Sequence, residues 1–268
     1  MHIAVVTLFP EMIAGFISHG VLSRAIAEGL LEVSLHNPRD RATDRHRTVD
    51  DRPYGGGPGM VMRPEPLVAA IRAARSAAER AVTAVADKSA VAPQRTTTTA
   101  LTVFLTPQGQ PFCQQHAAGW ASVSRPLVLV AGRYEGIDQR VIDSEIDVEL
   151  SLGDFVISGG EVCAMAVVDA VARLLPGTLG NDESAKTDSF GTDGLLEHPQ
   201  YTRPEVFDGR PVPPVLMQGD HKEIAAWRRT QSLIATARKR PDLLQRAEER
   251  GEISESEVEQ LQIHTGKN

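Results

Sequence analysis

Apolar residues along the chain follow two alternating patterns. His2–Leu8 and Pro126–Ala131 are short β-branched runs, apolar at nearly every position, and read as strands buried on both faces. Leu31–His36 alternates apolar and polar, and Leu101–Thr106 is a further strand run. Between them lie stretches of helical spacing. Glu11–Leu30 carries Phe16 and Leu22 and ends at Gly29; Pro64–Ala86 is alanine-rich; TPQGQ turns the chain into Phe112–Trp120. Strands alternating with helices predict an α/β domain with a mostly parallel sheet. Asp87–Ala100, rich in Thr, Ala, Pro and Gln, has no period and reads as an inserted surface loop. After Leu175 the organisation changes. Residues 176–194 are rich in Gly, Asp, Ser and Thr and read as a linker. Leu195–Tyr201 and a proline-rich path (Pro204, Pro211, Pro213, Pro214) follow. His221–Arg238, Asp242–Arg250 and Ser254–Ile263 then read as helices of a small domain, the last opened by a capping box of Ser254 and Glu257.

The apolar pattern is most heavily punctuated by glycine between Gly132 and Gly177. GRYEG follows the Pro126–Ala131 strand, two short strand-like pieces come next (Ile146–Leu150 and Asp154–Ile157), and Gly159-Gly160 opens a helix ending near Leu175. Glycine between strand ends and helix starts lets a backbone approach a ligand, and open α/β sheets bind ligands at those strand ends. Neither GxGxxG nor GxxxxGK[ST] is present, which excludes the dinucleotide fingerprint and the phosphate-binding loop and leaves a small-molecule site of another kind.

Composition narrows the class. The chain has 268 residues, 41% hydrophobic, enough for one large or two modest domains. No run has the apolar length of a membrane span, and MHIAVVTLFPEM lacks the marks of a signal peptide. Two cysteines, Cys113 and Cys163, stand in no metal or redox spacing, which suits a reduced, cytoplasmic compartment. A net charge of −7 argues against wholesale electrostatic binding of nucleic acid, yet Arg39–Arg52 and Lys222–Arg240 are locally basic. In the first, Arg39, Arg41, Arg45, His46, Arg47 and Arg52 interleave with Asp40, Asp44, Asp50 and Asp51 ahead of PYGGGPG. The loop is either a solvated ion-pair network or a contact surface for phosphate and base. Lys222, Arg228, Arg229 and Arg238 beside Ile224, Trp227 and Leu233 pose the same choice on a helix. Asp169 and Arg173 share a helix face. Phe190, in Asp188-Ser189-Phe190, is an apolar residue in a polar linker and suggests docking.

The motifs GRYEGID, SLGDFVISGGE and VVDAVARLLPG, with RDRATDRHRTVDDRPYGGGPGMVM, DSF, HPQYTRPEV, VPPVL and WRRTQSL, closely resemble bacterial tRNA (guanine-N1)-methyltransferases over nearly the whole chain. These belong to the trefoil-knotted SPOUT methyltransferases. The resemblance implies an S-adenosylmethionine-binding α/β domain over 1–175 with a mostly parallel sheet and a C-terminal trefoil knot, a linker carrying DSF over 176–194, and a small all-helical, tRNA-binding domain over 195–268. It implies methyl transfer to N1 of the guanosine immediately 3′ of the anticodon, in a homodimer whose active sites lie at the subunit interface. Asp188 then matches the general base and Arg173 the cation beside the guanine O6. Leu105, Pro107, Gly132, Tyr134, Gly136 and the loop Leu152, Gly153, Asp154, Phe155, Val156 and Ile157, with Gly159 and Gly160, match the donor pocket. Glu135 matches an acidic residue that meets the donor's amino group or a magnesium ion. Arg47, Tyr54, Gly57, Gly59, Ser189, Arg228 and Arg229 are the expected RNA contacts. Cys163, where the family commonly has proline, and Gln200, where many members have histidine, depart from the pattern. Two alternatives remain: a SPOUT enzyme acting on rRNA or a ribose 2′-hydroxyl, and a non-catalytic RNA-binding module. The second has no need of GRYEG, LGDFVISGG, Arg173 and Asp188 together.

Overall fold

The computed structural model describes residues 1–86, 99–181, 187–254, 256–258 and 261, so most of the Asp87–Ala100 insertion and part of the linker lie outside the described residues. The chain forms two compact units, Met1–Asp182 and Glu183–Asn268. No helix among the described residues is long and apolar enough to cross a membrane.

The first unit is built on a five-stranded parallel sheet of order β2-β1-β6-β5-β7. Its strands are β1 (His2–Val6), β2 (Glu32–His36), β5 (Leu101–Pro111), β6 (Leu127–Ala131) and β7 (Val148–Ser151). A two-residue antiparallel ladder pairs β3 (Asp50–Asp51) with β4 (Val61–Met62). Side-chain alternation decides which face each residue covers. Ile3, Val5, Val103, Leu127 and Leu129 form one core with Ile13 of α1 (Pro10–Ile17), Leu22 of α2 (Gly20–Ala27), Ala117 of α4 (Gln114–Ser122), and Val167, Val168 and Val171 of α6 (Glu161–Ala172). Ala4, Val6, Phe104, Val128 and Val130 form the other with Leu67, Ile71 and Ala74 of α3 (Pro64–Ala86) and Val141 of α5 (Gln139–Glu145). The apolar runs in β1 and β6 thus reflect a sheet covered on both sides.

Three local expectations change, and one helix was not expected. The helix expected over Glu11–Leu30 is two helices, because the chain turns at Gly20 with φ +63°. TPQGQ does not simply end a strand: β5 loses register after Leu105 and resumes pairing with β7 at Gln110. Gly109 is required there, since a Cβ would lie 2.3 Å from the Leu150 nitrogen. Asp154–Ile157 is not a strand; β7 stops at Ser151, whose Oγ bonds the Gly153 amide, and Val156 stands 85% exposed. Helix α5 had no sequence signal strong enough to single out, yet Asp138 caps it and its buried Glu145 is held by Arg72 (2.6 Å) and Arg75 (3.5 Å).

The second unit centres on α7 (His221–Lys239), capped by Asp220, and α8 (Pro241–Glu249), with Leu195, Leu233, Ile234, Ala247, Ile253 and Leu261 as its core. A two-residue ladder joins β8 (Val206–Phe207) to β9 (Arg210–Pro211), so the unit is not all-helical. The Ser254–Glu257 capping box forms, with Ser254 N donating to Glu257 Oε2 at 2.8 Å.

Candidate active site

The loops that leave the carboxyl ends of β6 and β7 are pinned together at glycines. Gly160 N donates to Gly132 O at 3.0 Å, and Arg133 forms a bridge with Gly159. A Cβ on Gly160 would lie 2.8 Å from the Ala131 Cα, and one on Gly159 would lie 2.2 Å from Arg133 Nε. A side chain at Gly160 would force the backbones apart, and one at Gly159 would displace the Arg133 and Glu161 side chains. Tyr134 adopts φ +60°, Gly136 φ +126° and Gly153 φ +152°. Around this seam stand exposed apolar side chains, Tyr134 (48%), Phe155 (54%), Val156 (85%) and Ile157 (39%). Exposed apolar groups gathered beside an open backbone suit a planar ligand that would cover them. Leu105 is buried below, Pro107 and Asp154 are exposed, and Leu152 is half-buried.

Beneath the seam lies a network that the sequence reading missed. Glu161, the first residue of α6, is fully buried. Thr7 Oγ1 donates to its Oε1 at 2.8 Å, and Arg133 Nη2 lies 2.9 Å from its Oε2. Arg133 also donates to Ser158 O at 3.1 Å and sits 4.4 Å above the Phe9 ring. The end of β1, the loop after β6 and the loop before α6 are therefore tied to one carboxylate. Its position in the first turn of α6 also suits the helix dipole. The available signal was a charged residue directly after Gly159-Gly160, opening a helix whose next turns are almost entirely apolar.

The GGGPG loop reaches the same place. Glu135 N donates to Met60 O at 3.0 Å, Met62 N to Gly136 O at 3.0 Å, and Asp138 N to Met62 O at 3.3 Å. The Glu135 side chain lies against Gly59, where an added Cβ would be 2.4 Å from Oε1. Gly57, with φ +119°, and the wholly exposed Tyr54 complete this loop. Arg47 pairs with Asp40 at 3.6 Å, an exposed contact. No group of three or more His, Cys, Asp or Glu that could hold a metal ion is found among the described residues. At the far end of α6, Arg173 caps the helix and its backbone N donates to Asp169 O at 3.1 Å. Cys163 packs into the core, where burial pushes its thiol up.

Asp188, Ser189 and Phe190 belong to the second unit. They form a fixed turn: Phe190 N donates to Leu195 O at 2.7 Å, Gly191 N to Asp188 O at 2.9 Å, and Glu197 N to Ser189 Oγ at 3.0 Å. Phe190 itself has φ +65° and is 42% exposed. Asp188 lines a recess of about 570 Å³ with His198, His221, Arg228 and Ser232 among its walls. Arg228 is exposed, and no ion pair engages it among the described residues. Arg229 differs. It donates to Asp193 at 2.6 Å, to Glu257 at 2.7 Å and to Glu252 O at 2.8 Å. Hydrogen bonding from Arg229 pulls the Glu257 carboxyl down to about 2. The charge of Arg229 is met inside the unit, whereas the neighbouring Arg228 stands exposed. Gln200 is exposed and hydrogen-bonds Glu197.

The sequence profile of tRNA (Guanine-1)-methyltransferase TrmD matches residues 1–246. The tRNA (guanine-N(1)-)-methyltransferase of Pseudoalteromonas translucida is 51% identical over 242 residues, covering 90% of this chain and 87% of that protein. The proteins of the same name from Pseudomonas entomophila (50% over 245 residues; 91% of this chain, 90% of theirs) and Chromohalobacter salexigens (52% over 245 residues; 91% and 86%) are similar over the same extent. The glycine seam, the buried carboxylate beneath it and the Asp188 turn all lie within the matched span, and the chain belongs to the tRNA (guanine-1)-methyltransferase family.

Proposed function

We propose that this chain transfers a methyl group from S-adenosylmethionine to N1 of a guanosine in tRNA, the one immediately 3′ of the anticodon. The observation that carries the reading is the identity of about half of all residues, over about nine-tenths of the chain, to proteins named for that transfer. Guanine N1 bears a proton in the neutral lactam and is a poor nucleophile until it is removed. Asp188 takes that proton, and Arg173 faces O6, where negative charge gathers. The donor, when bound, supplies a methyl group already activated on a sulfonium. Leu105, Pro107 and the Gly132–Gly136 loop hold its adenosine, with Phe155, Val156 and Ile157 covering it from water. Glu135 meets its amino group or a magnesium ion. The fit rests on the glycine seam and the exposed apolar rim beside it.

The finer features belong to the same proposal: the trefoil knot, the cytoplasmic setting, and a homodimer in which each active site takes donor loops from one subunit and Asp188 from the other. The close passage of Gly159-Gly160 behind Gly132 supports the knot. The test is incubation of unmodified tRNA with labelled S-adenosylmethionine, followed by nucleoside analysis and mapping of the label. 1-Methylguanosine beside the anticodon is expected. No 1-methylguanosine, or label on a ribose hydroxyl, would overturn the reading. Mixing Arg173→Ala and Asp188→Ala proteins tests the shared site, since hybrid dimers should regain activity; no recovery after proven subunit exchange would place both residues in one chain.

A further inference from the structure

Three segments of the second unit converge on Arg229 of α7. Its guanidinium reaches Asp193 Oδ2, Glu257 Oε1 and the Glu252 carbonyl. Arg229 and both carboxylates are partly exposed, and pairs of that kind add little stability. What the guanidinium does provide is orientation, because its donors form a rigid planar fork and hold their acceptors in one mutual geometry. Its donors are directed at protein acceptors, unlike those of a cation that meets phosphate.

Of the three acceptors, Asp193 leads back to Asp188. Its second oxygen, Oδ1, accepts from Leu195 N at 3.1 Å, and its carbonyl accepts from Arg250 at 3.2 Å. Gly194, with φ +69°, lies against Arg250, where a Cβ would be 2.5 Å from Nη2. Gly194 N donates to Gly191 O at 3.1 Å, and Gly191 N donates to Asp188 O. Leu195 is buried, and Leu196 N donates to Thr236 Oγ1 of α7 at 2.9 Å. The turn is thus anchored at one end by the core and along its length by Asp193. Phe190 is held in it at φ +65°, a conformation that a bulky side chain adopts only where its surroundings impose it. We propose that Arg229 is a positioning residue for methyl transfer, fixing through Asp193 the turn that carries Asp188. This rests on the reading of Asp188 as the base.

A double-mutant cycle with Asp188 tests it on the full-length protein, read by single-turnover methyl transfer at saturating tRNA and S-adenosylmethionine. The variants are Arg229→Gln and, separately, Asp193→Asn. The second keeps an oxygen for Leu195 N and leaves Arg229 on Glu257 and Glu252, so it cuts only the link between them. Each should slow transfer about tenfold or more, since a small misplacement of a reacting group is enough for that. Affinities for donor and tRNA should stay within roughly twofold of wild type, and the salt dependence of tRNA binding should not change. In an Asp188→Asn background the same substitutions should cost nothing further, because the group they position has gone. Asp193→Asn keeps the test decisive if Arg229→Gln does not fold. Equal, multiplying losses in both backgrounds would overturn the proposal. So would a full rate at saturation with weaker and less salt-dependent tRNA binding, which would make Arg229 a phosphate contact. Failure of the underlying reading looks different: Asp188→Asn alone would then transfer methyl at the wild-type rate, or wild type would form no 1-methylguanosine.

Discussion

Each unit ties its loops with one arginine, and the two arginines sit in opposite surroundings. Arg133 meets Glu161 with side-chain exposures of 17% and 0%. Arg229 meets Asp193 and Glu257 with exposures of 30%, 39% and 24%. Water can replace a partner of Arg229 but not the partner of Arg133. A buried charge left without its partner is costly, whereas a partly exposed pair is screened and worth little. The loops of the first unit are thus tied around small glycines by a buried pair. The Arg229 contacts of the second unit are partly exposed and add to its apolar core without being buried in it.

The sharpest way to break this contrast is Glu161→Gln. It preserves shape and strands the Arg133 charge, so the first unit should lose on the order of 3–5 kcal/mol of stability in urea unfolding. Donor affinity should fall with it, and an unaltered unfolding midpoint would deny the network its role. Next is Asp188→Asn, which removes the proton acceptor without disturbing the turn around it. Single-turnover methyl transfer should slow at least about a hundredfold, with donor and tRNA binding near normal. Should Asp169→Asn be inactive while Asp188→Asn is not, the base lies on α6. Third, Gly160→Ala puts a methyl 2.8 Å from the Ala131 Cα. Calorimetry should find donor affinity lower by about tenfold, roughly 1.4 kcal/mol, with RNA binding spared.

The smallest effect concerns pH. Glu257 is depressed in the fold from an ordinary 4.5 to about 2. Its contribution is therefore complete above about 4.5 and is lost as pH falls from there toward 2. The second unit should lose stability across that window by about 1 kcal/mol or less. Glu257→Gln should remove the dependence, read by unfolding of the second unit; an identical slope in both proteins would place the titration elsewhere.

Much of this was legible from residue order alone. Continuous apolar runs at His2–Leu8 and Pro126–Ala131 specify strands buried on two faces, because only such strands have no need of polar positions. Helical spacing over Pro64–Ala86 and the Ser254–Glu257 pair specify a helix and a helix start through local hydrogen bonding and side-chain geometry. The glycine-rich motifs marked the seam because they record where backbones pass closely. Tertiary structure alone decided the rest. Phe155, Val156 and Ile157 have strand composition, yet no strand among the described residues pairs with them, and they stand exposed in a loop. Arg228 and Arg229 are adjacent and chemically identical; only the position of Asp193 and Glu257 in space commits one and leaves the other toward the recess. Glu161 reads as an ordinary first-turn carboxylate until Thr7 and Arg133 arrive from 154 residues and 28 residues away in sequence to bury it. Local order sets backbone preference and apolar period; long-range contact sets burial and partner, and burial decides what each charge does.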